Sequence, residues 1–447
     1  MKMFVYLCLL ISLSFANSAL TLDIALEKVK QKNREIDLSK MDELISGLEE
    51  DVSKASSYGV LDLTQNAMRS NDALNVFGYK LQSREATFSD FGFKQLDKSN
   101  PPNYDAKPSD LNYPKSRNHF STHATYTLPL FTGGKISYHQ KITKALHHLS
   151  SLTREEVTLQ KIYEVKKTFY DIALMQAYVR DLCTIENNMQ RVYRKAKAMQ
   201  EEGYAKKVDL LEIETRLADV QRHFESAKAN EALLYHYLSF LLDEPVTEIV
   251  MPDEEGVVVK VYEEERLRQN IAVKKAEKSV EISKMNIALQ ESAYYPQVGA
   301  FAQYGSSDDK WLNDFAQKDA YTVGVQIKWN VFNGGADKAN IEKARVQHLK
   351  AEQELILSQK SLLLHVKQLQ TKLHNYAYEI GSLKKEVDLA QQIYENYAGR
   401  YEQKLLSIND VMMKQTEVLQ TVLRLLEAQN AHNATVFELE KIVGENQ

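Results

Sequence analysis

Gly133-Gly134-Lys135 is the segment of this 447-residue chain that comes nearest to phosphate chemistry. A phosphate loop needs an earlier glycine for its turn and a hydroxyl after the lysine to reach Mg2+. Those positions hold Pro129 and Ile136, so the pattern fails. His147-His148 is the next candidate, but adjacent side chains on a helix point about 100° apart and do not converge on one ion. No His-Glu-x-x-His stretch and no nucleophile–base pairing is readable. The expectation is therefore no catalytic residue, no metal site and no cofactor. Two acids stand out instead. Val208-Asp209-Leu210 and Asn409-Asp410-Val411 each precede a long Pro-free helical pattern, where an aspartate fits the N-cap role by accepting from free amides.

The spacing of those acids exposes the organisation. Asp410 lies 201 residues after Asp209, and Phe332-Asn333-Gly334-Gly335 lies 201 residues after Phe131-Thr132-Gly133-Gly134. An internal repeat sets the architecture that any motif occupies. Ile136 to Glu202 contains neither Gly nor Pro, and 67 such residues would make a helix of roughly 100 Å at about 1.5 Å per residue. In the second copy Leu355, Leu362, Val366, Leu369, Leu373 and Tyr376 recur at helical steps. A helix this long cannot bury its own stripe, and each copy supplies a partner in the run after its aspartate. Each copy thus reads as a helical hairpin, with tips at residues 202–209 and 403–410.

Ahead of each Gly pair the period changes to two. Val323, Val325, Ile327, Trp329 and Val331 alternate with Thr322, Gly324, Gln326, Lys328 and Asn330, the pattern of a strand with one apolar and one wet face. The predicted division is a first repeat over 19–250, with strands near 57–70 and 119–132 and helices near 22–56, 135–202 and 209–243. The second covers 251–447, with strands near 296–305 and 321–332 and helices near 263–292, 336–403 and 410–443. The first copy has about 37 extra residues between its strands, within 65–118. Pro101, Pro102, Pro108 and Pro114 cluster there, and part of that segment reads as a long loop. Gly133, Gly134, Gly334 and Gly335 are the predicted strand-to-helix turns.

Met1-Lys2, the apolar stretch from Phe4 to Phe15 and the small residues Ala16 to Ala19 read as an export signal over 1–18. Its removal takes away Cys8 and leaves Cys183, so no disulfide framework is expected. The net charge of −5 gives no reason to expect nucleic acid. Beyond the signal no apolar run is long enough for a spanning helix.

Four alternating strands cannot close a barrel alone. In a bilayer an open edge leaves backbone groups unpaired at several kcal/mol each, so closure is compulsory. Three chains would supply twelve strands, with Tyr294, Tyr295, Tyr304, Tyr321, Trp329 and Phe332 as interfacial aromatics. With this order in view, the chain resembles the TolC-type outer-membrane efflux channels along its whole mature length. The marks are Leu20-Thr21-Leu22, Ala25-Leu26, Lys32-Asn33, Ala293-Tyr294-Tyr295-Pro296, the duplicated Phe-x-Gly-Gly and the duplicated tip aspartate.

The resemblance implies an α+β membrane protein acting as a homotrimer. A twelve-stranded barrel crosses the outer membrane, in contact with its lipid, and continues into a long α-helical barrel in the periplasm. Such channels serve tripartite efflux or type I secretion, joined through a periplasmic adaptor to an inner-membrane transporter. Asp209, Asp410 and Tyr401 match the residues around the inner aperture, Tyr401 reaching toward an Asp209 carboxylate. Gly203, Tyr204, Lys404 and Leu405 fall at the tips where the adaptor docks. Lys404 replaces the small residue seen at Gly203, Leu406 stands where a basic residue assists closure, and Met413 where a second acid follows. Three copies of Asp410 around a narrow axis would attract cations and hinder anions. The competing reading is a periplasmic coiled-coil adaptor, which carries one hairpin rather than two.

Overall fold

The first break in the chain is made by one side chain. Asn33 Oδ1 accepts from the Glu35 and Ile36 amides at 3.0 and 3.2 Å, so it caps one helix where another has just ended. The helix predicted over 22–56 is therefore two, α1 (Leu22–Lys32) and α2 (Arg34–Ala55). The computed structural model describes residues 20–96, 103–251 and 267–444, and the export signal predicted over 1–18 lies outside them. In chain order there follow β1 (Val60–Ser70), α3 (Ala73–Gln82), α4 (Ser109–Asn112), β2 (Arg117–Phe131), α5 (Lys135–Glu201) and α6 (Lys207–Leu242). The second half holds α7 (Ile271–Glu291), β3 (Gln297–Asp308), β4 (Asp319–Lys328), α8 (Ala336–Glu402) and α9 (Ile408–Val443).

Contacts divide the described residues into two units, each drawing on both repeats: 20–43, 150–251, 267–277 and 354–444 in one, 44–96, 103–149 and 278–353 in the other. The first unit is helical. Its repeat is written in side chains: Asn33 Nδ2 donates to Leu241 O at 2.8 Å, and Asn270 Nδ2 to Ile442 O at 2.7 Å. Each asparagine also caps its own helix, Asn270 through the Ala272 amide at 2.8 Å. Leu20 pairs with Ile249 in a parallel bridge, and Ala25, Val29, Ile162, Phe169, Leu238 and Leu241 close a core beside it.

The second unit is built on one antiparallel sheet in the order β1-β2-β3-β4. Its registers align the apolar positions into rows: Leu61–Tyr126–Ala302–Val323 and Leu63–Ala124–Tyr304–Tyr321. The next rows down, Asp62–Thr125–Gln303–Thr322 among them, face the other way and are polar. Phe301, the residue that breaks that polar face, lies over Gly324, where an added Cβ would come within 2.8 Å of its ring. The apolar face is uncovered in the single chain, with Leu61, Leu63, Val323 and Ile327 all exposed.

The helix predicted over 263–292 begins at Ile271, residues 263–266 lying outside those described, and further segments also differ from the sequence reading. The last strand ends at Lys328 rather than 332, and Trp329 Nε1 donates to Tyr294 O at 3.1 Å. The third strand runs on to Asp308, where Ser306, Ser307 and Asp308 are buried. The connection after β1 carries α3, α4 and two 3-10 turns at Phe88–Phe91 and Phe93–Gln95. The strand-to-helix turns take left-handed backbone at Gly133, Gly134, Gly334 and Gly335. At Gly133 the space is also closed, because a Cβ would sit 2.7 Å from Ser292 O and from Tyr295 Cβ. Among the described residues no helix is long and apolar enough to cross a membrane.

Candidate functional site at the hairpin tips

The tips are the short links between α5 and α6 and between α8 and α9, all within the helical unit. Each long helix ends in the same backbone knot. In the first copy Gly203 N–H reaches Gln200 O at 3.0 Å and Tyr204 N–H reaches Met199 O at 2.7 Å. In the second, Lys404 N–H reaches Tyr401 O at 2.9 Å and Leu405 N–H reaches Arg400 O at 3.0 Å. This double closure satisfies the last carbonyls and needs one left-handed residue after the helix. Gly203 supplies it at φ +82°, and Lys404 adopts it at φ +64° despite carrying a Cβ. Lys404 is thus the second copy's counterpart of Gly203 in backbone as well as in position.

A side-chain contact holds that lysine. Its Nζ lies 3.2 Å from the centre of the Tyr204 ring, joining the two tips of one chain by a cation–π contact. A Lys195–Glu402 ion pair joins the same two hairpins just behind the tips. Below them Leu182, Met189, Ala196, Ile213, Tyr394, Ile408, Val411 and Met412 form one buried core drawn from both hairpins. Gly203, Tyr204, Lys404 and Leu405 are among the exposed residues at the ends.

Neither aspartate is the N-cap. Ser407 caps α9, its Oγ accepting from the Asp410 amide at 3.3 Å, while the Asp410 carboxylate accepts from the Ser407 amide at 3.2 Å and from its hydroxyl at 2.6 Å. Asp410 therefore fills the third helical position of a reciprocal capping box. Asp209 makes half of the same arrangement, accepting from the Lys206 amide at 2.8 Å. Lys206 has no acceptor with which to reciprocate. Three residues of offset explain the difference: a serine or lysine ahead of each acid sits where the chain enters the returning helix, so the acid lands one turn inside.

Tyr401 is 6% exposed, and its hydroxyl has no hydrogen-bond partner among the described residues. No bond to Asp209 forms within one chain. Burial first, and the nearby Asp209 charge second, push the phenol up from its ordinary range, so it stays a neutral donor. Gln415 Oε1 is likewise buried without a partner. The motif reading passed over Tyr204 facing Lys404 as a pair, since their sequence separation hides the contact.

A second cluster lies in the sheet unit. Glu85, Asp308 and Asp309 bring carboxylate oxygens within 4.8 Å of one another. Lys318 lies 2.5 Å from Glu85 and 2.8 Å from Asp308, and Arg117 pairs with Glu85. Burial raises the Glu85 carboxyl, but Lys318 and Arg117 outweigh it and hold the group below its usual range. The cluster works as an ionic staple between the two strand connections.

Residues 264–445 match the model of the outer membrane efflux protein family. A comparison of the sequence with curated proteins finds no match. Among solved structures, the Campylobacter jejuni CmeC outer membrane channel is similar at a TM-score of 0.78 and 13% identity, over 95% of this chain and 85% of that one. The Vibrio cholerae outer membrane protein VceC gives 0.76 and 13%, over 95% and 96%. The open-state Neisseria gonorrhoeae MtrE outer membrane channel gives 0.75 and 13%, over 95% and 88%. At such identities the likeness is one of fold, and it extends across both repeats.

Proposed function

We propose, for a chain whose residues 264–445 match the outer membrane efflux protein family, the role of a homotrimeric exit duct. Three copies close a twelve-stranded barrel in the outer membrane, and their hairpins extend into the periplasm as one helical conduit. The observation that carries this reading is the sheet. It presents apolar rows on one face, polar rows on the other, and two open edges at β1 and β4. Four antiparallel strands put β1 and β4 in opposite directions, so the edge of one copy pairs antiparallel with the edge of the next. Closure then satisfies every edge that lipid would leave unpaired.

In this duct the two repeats, 19–250 and 251–447, each supply a strand pair and a hairpin. The tips form the inner mouth. Asp209, Asp410 and the neutral Tyr401 surround it, and Gly203, Tyr204, Lys404 and Leu405 offer the exposed ends on which a periplasmic adaptor docks. Energy comes from an inner-membrane transporter behind that adaptor, and the duct itself performs no catalysis. An adaptor protein is the weaker reading, because two hairpins and a closable sheet exceed what one hairpin between β-domains needs. The mature protein in a planar lipid bilayer tests the proposal. A trimer that conducts ions in discrete steps supports it, and a monomer without conductance refutes it.

A further inference from the structure

We propose that α3 and the turns after it, residues 73–95, stand inside the barrel as a plug across its outer mouth. The inference rests on the duct reading and adds a closure at the end opposite the hairpin tips. α3 packs on the sheet, and the face it covers is the polar one. Its Tyr79 ring stacks on His119 of β2, with centroids 4.0 Å apart and planes 7° from parallel, and the Tyr79 hydroxyl lies 3.9 Å from Met68 Sδ of β1. Along β2 the side chains of His119, Ser121 and Thr125 share one side, that of the polar row Asp62–Thr125–Gln303–Thr322. His119, Ser121 and Ser307 are buried, whereas Leu61 and Leu63 on the other face are 71% and 78% exposed. A helix added to a soluble sheet would cover the apolar face. This one covers the wet face and leaves the apolar face to lipid, so in a closed barrel it stands in the lumen.

The residues after α3 tie the plug to the wall. Arg84, left-handed at φ +56°, donates to Gln317 O at 3.4 Å and to Asp319 O at the start of β4. Glu85 pairs with Lys318, and Ser83 Oγ accepts from Arg117 at 3.0 Å at the start of β2. Within the insert Phe77 meets Phe91 edge to face at 4.8 Å, so the turns fold back on α3. β2 leads into α5 at its other end, so these ties lie at the sheet end remote from the long helices. Width then decides closure. Twelve strands about 4.8 Å apart and tilted by roughly 40° enclose a barrel about 24 Å across. A helix with its side chains is about 10 Å wide, so three of them, one from each copy's wall, reach almost to the axis. Phe88 and Phe93 remain 81% and 60% exposed and place apolar rings on the free surface of the plug, where they hinder ions.

The test uses the full chain with Cys183→Ser in intact outer membranes, labelled from outside with bulky fluorescein maleimide. Thr125→Cys lies on the lumen side of β2, about 20 Å deeper than His119 at the rise of a strand. Lys310→Cys lies on the exposed connection between β3 and β4. Thr125→Cys is expected to label more slowly than Lys310→Cys. Adding Tyr79→Ala and Arg84→Ala removes a ring stack and the hydrogen bonds of a charged donor, and should speed labelling at Thr125→Cys about tenfold while leaving Lys310→Cys unmoved. Ser70 pairs with Arg117, so an Asn-Gly turn can replace residues 71–116, and the shortened chain should label at least as fast as the unlatched one. A trimer of either altered chain that labels no faster at Thr125→Cys overturns the plug and leaves the duct standing. A protein that is monomeric in the membrane overturns the duct and the plug together. If neither altered chain assembles, the parent decides, and equal rates at Thr125→Cys and Lys310→Cys overturn the proposal.

Discussion

Replacing Asp410 by alanine asks how much of this residue's work is structural. Its carboxylate accepts two hydrogen bonds from Ser407, at 3.2 and 2.6 Å, and so anchors the hydroxyl that caps its own amide at 3.3 Å. Loss of a capping interaction costs about 1 kcal/mol. Loss of a negative charge from the first turn adds roughly 0.3–1 kcal/mol through the helix dipole. Water reaches this half-buried group, so the total stays near 1.5 kcal/mol, or about a tenfold change in a local opening equilibrium. Asp209 makes a single bond, at 2.8 Å, and receives none in return. Asp209→Ala loses one bond at roughly 0.5–1 kcal/mol together with the same first-turn charge, so the opening of α6 is expected to shift by about 1 kcal/mol, or roughly fivefold. Hydrogen exchange of the amides at 407–411 and 206–210, read by mass spectrometry in the assembled protein, measures both. Equal effects at the two tips, or none at Asp410→Ala, would refute the capping argument. Asp410→Asn separates the roles, since it keeps an acceptor oxygen and removes the charge. If protection survives in that variant while cation preference falls, the carboxylate serves the ion path as well as the helix.

Lys404→Gly relieves left-handed strain of about 1 kcal/mol and loses a cation–π contact of about 0.5–1 kcal/mol, so exchange at 398–406 should stay nearly unchanged. Lys404→Ala and Tyr204→Ala keep the strain and lose the contact, and both should speed exchange several-fold. Gly133→Ala should lower the urea midpoint well beyond Gly334→Ala: both bear the positive φ, but only the first meets Ser292 O and Tyr295 at 2.7 Å, adding about 1–3 kcal/mol of overpacking. Lys80 beside Asp90, together with the Thr87 amide, holds that carboxyl down to about 2. A depressed acid stabilises above its unfolded value and loses that contribution as pH falls toward the folded one. Pepsin cleavage at Phe88, Phe91 and Phe93 should therefore rise between about pH 4 and pH 2, and Lys80→Met should already be cleaved at the upper end.

What the chain announces by itself is whatever depends on neighbours a few residues apart. Period two appears in Val323, Val325 and Ile327, and period 3.6 in Leu362, Val366, Leu369 and Leu373, because pleat and helix geometry repeat within one turn. The 201-residue offset carried the copies, their hairpins and the tip aspartates for the same reason: each repeat is a local pattern written twice. Two local readings still went astray. Asn33 divided a helix that periodicity joined, and Ser407 took the cap assigned to Asp410, since several polar side chains near a helix start compete for one position.

Tertiary structure decided what distant residues share. The order β1-β2-β3-β4 aligned Leu61, Tyr126, Ala302 and Val323 into one row, which no window of sequence contains. It placed Lys404 over Tyr204, buried the Tyr401 hydroxyl away from any partner among the described residues, and tied Asn33 to Leu241 and Asn270 to Ile442. It also left Leu48 and Val52 of α2 and Val346 and Leu349 of α8 exposed. Periodicity reports that a helix has an apolar side, but only packing determines which apolar sides are covered within the chain and which are not.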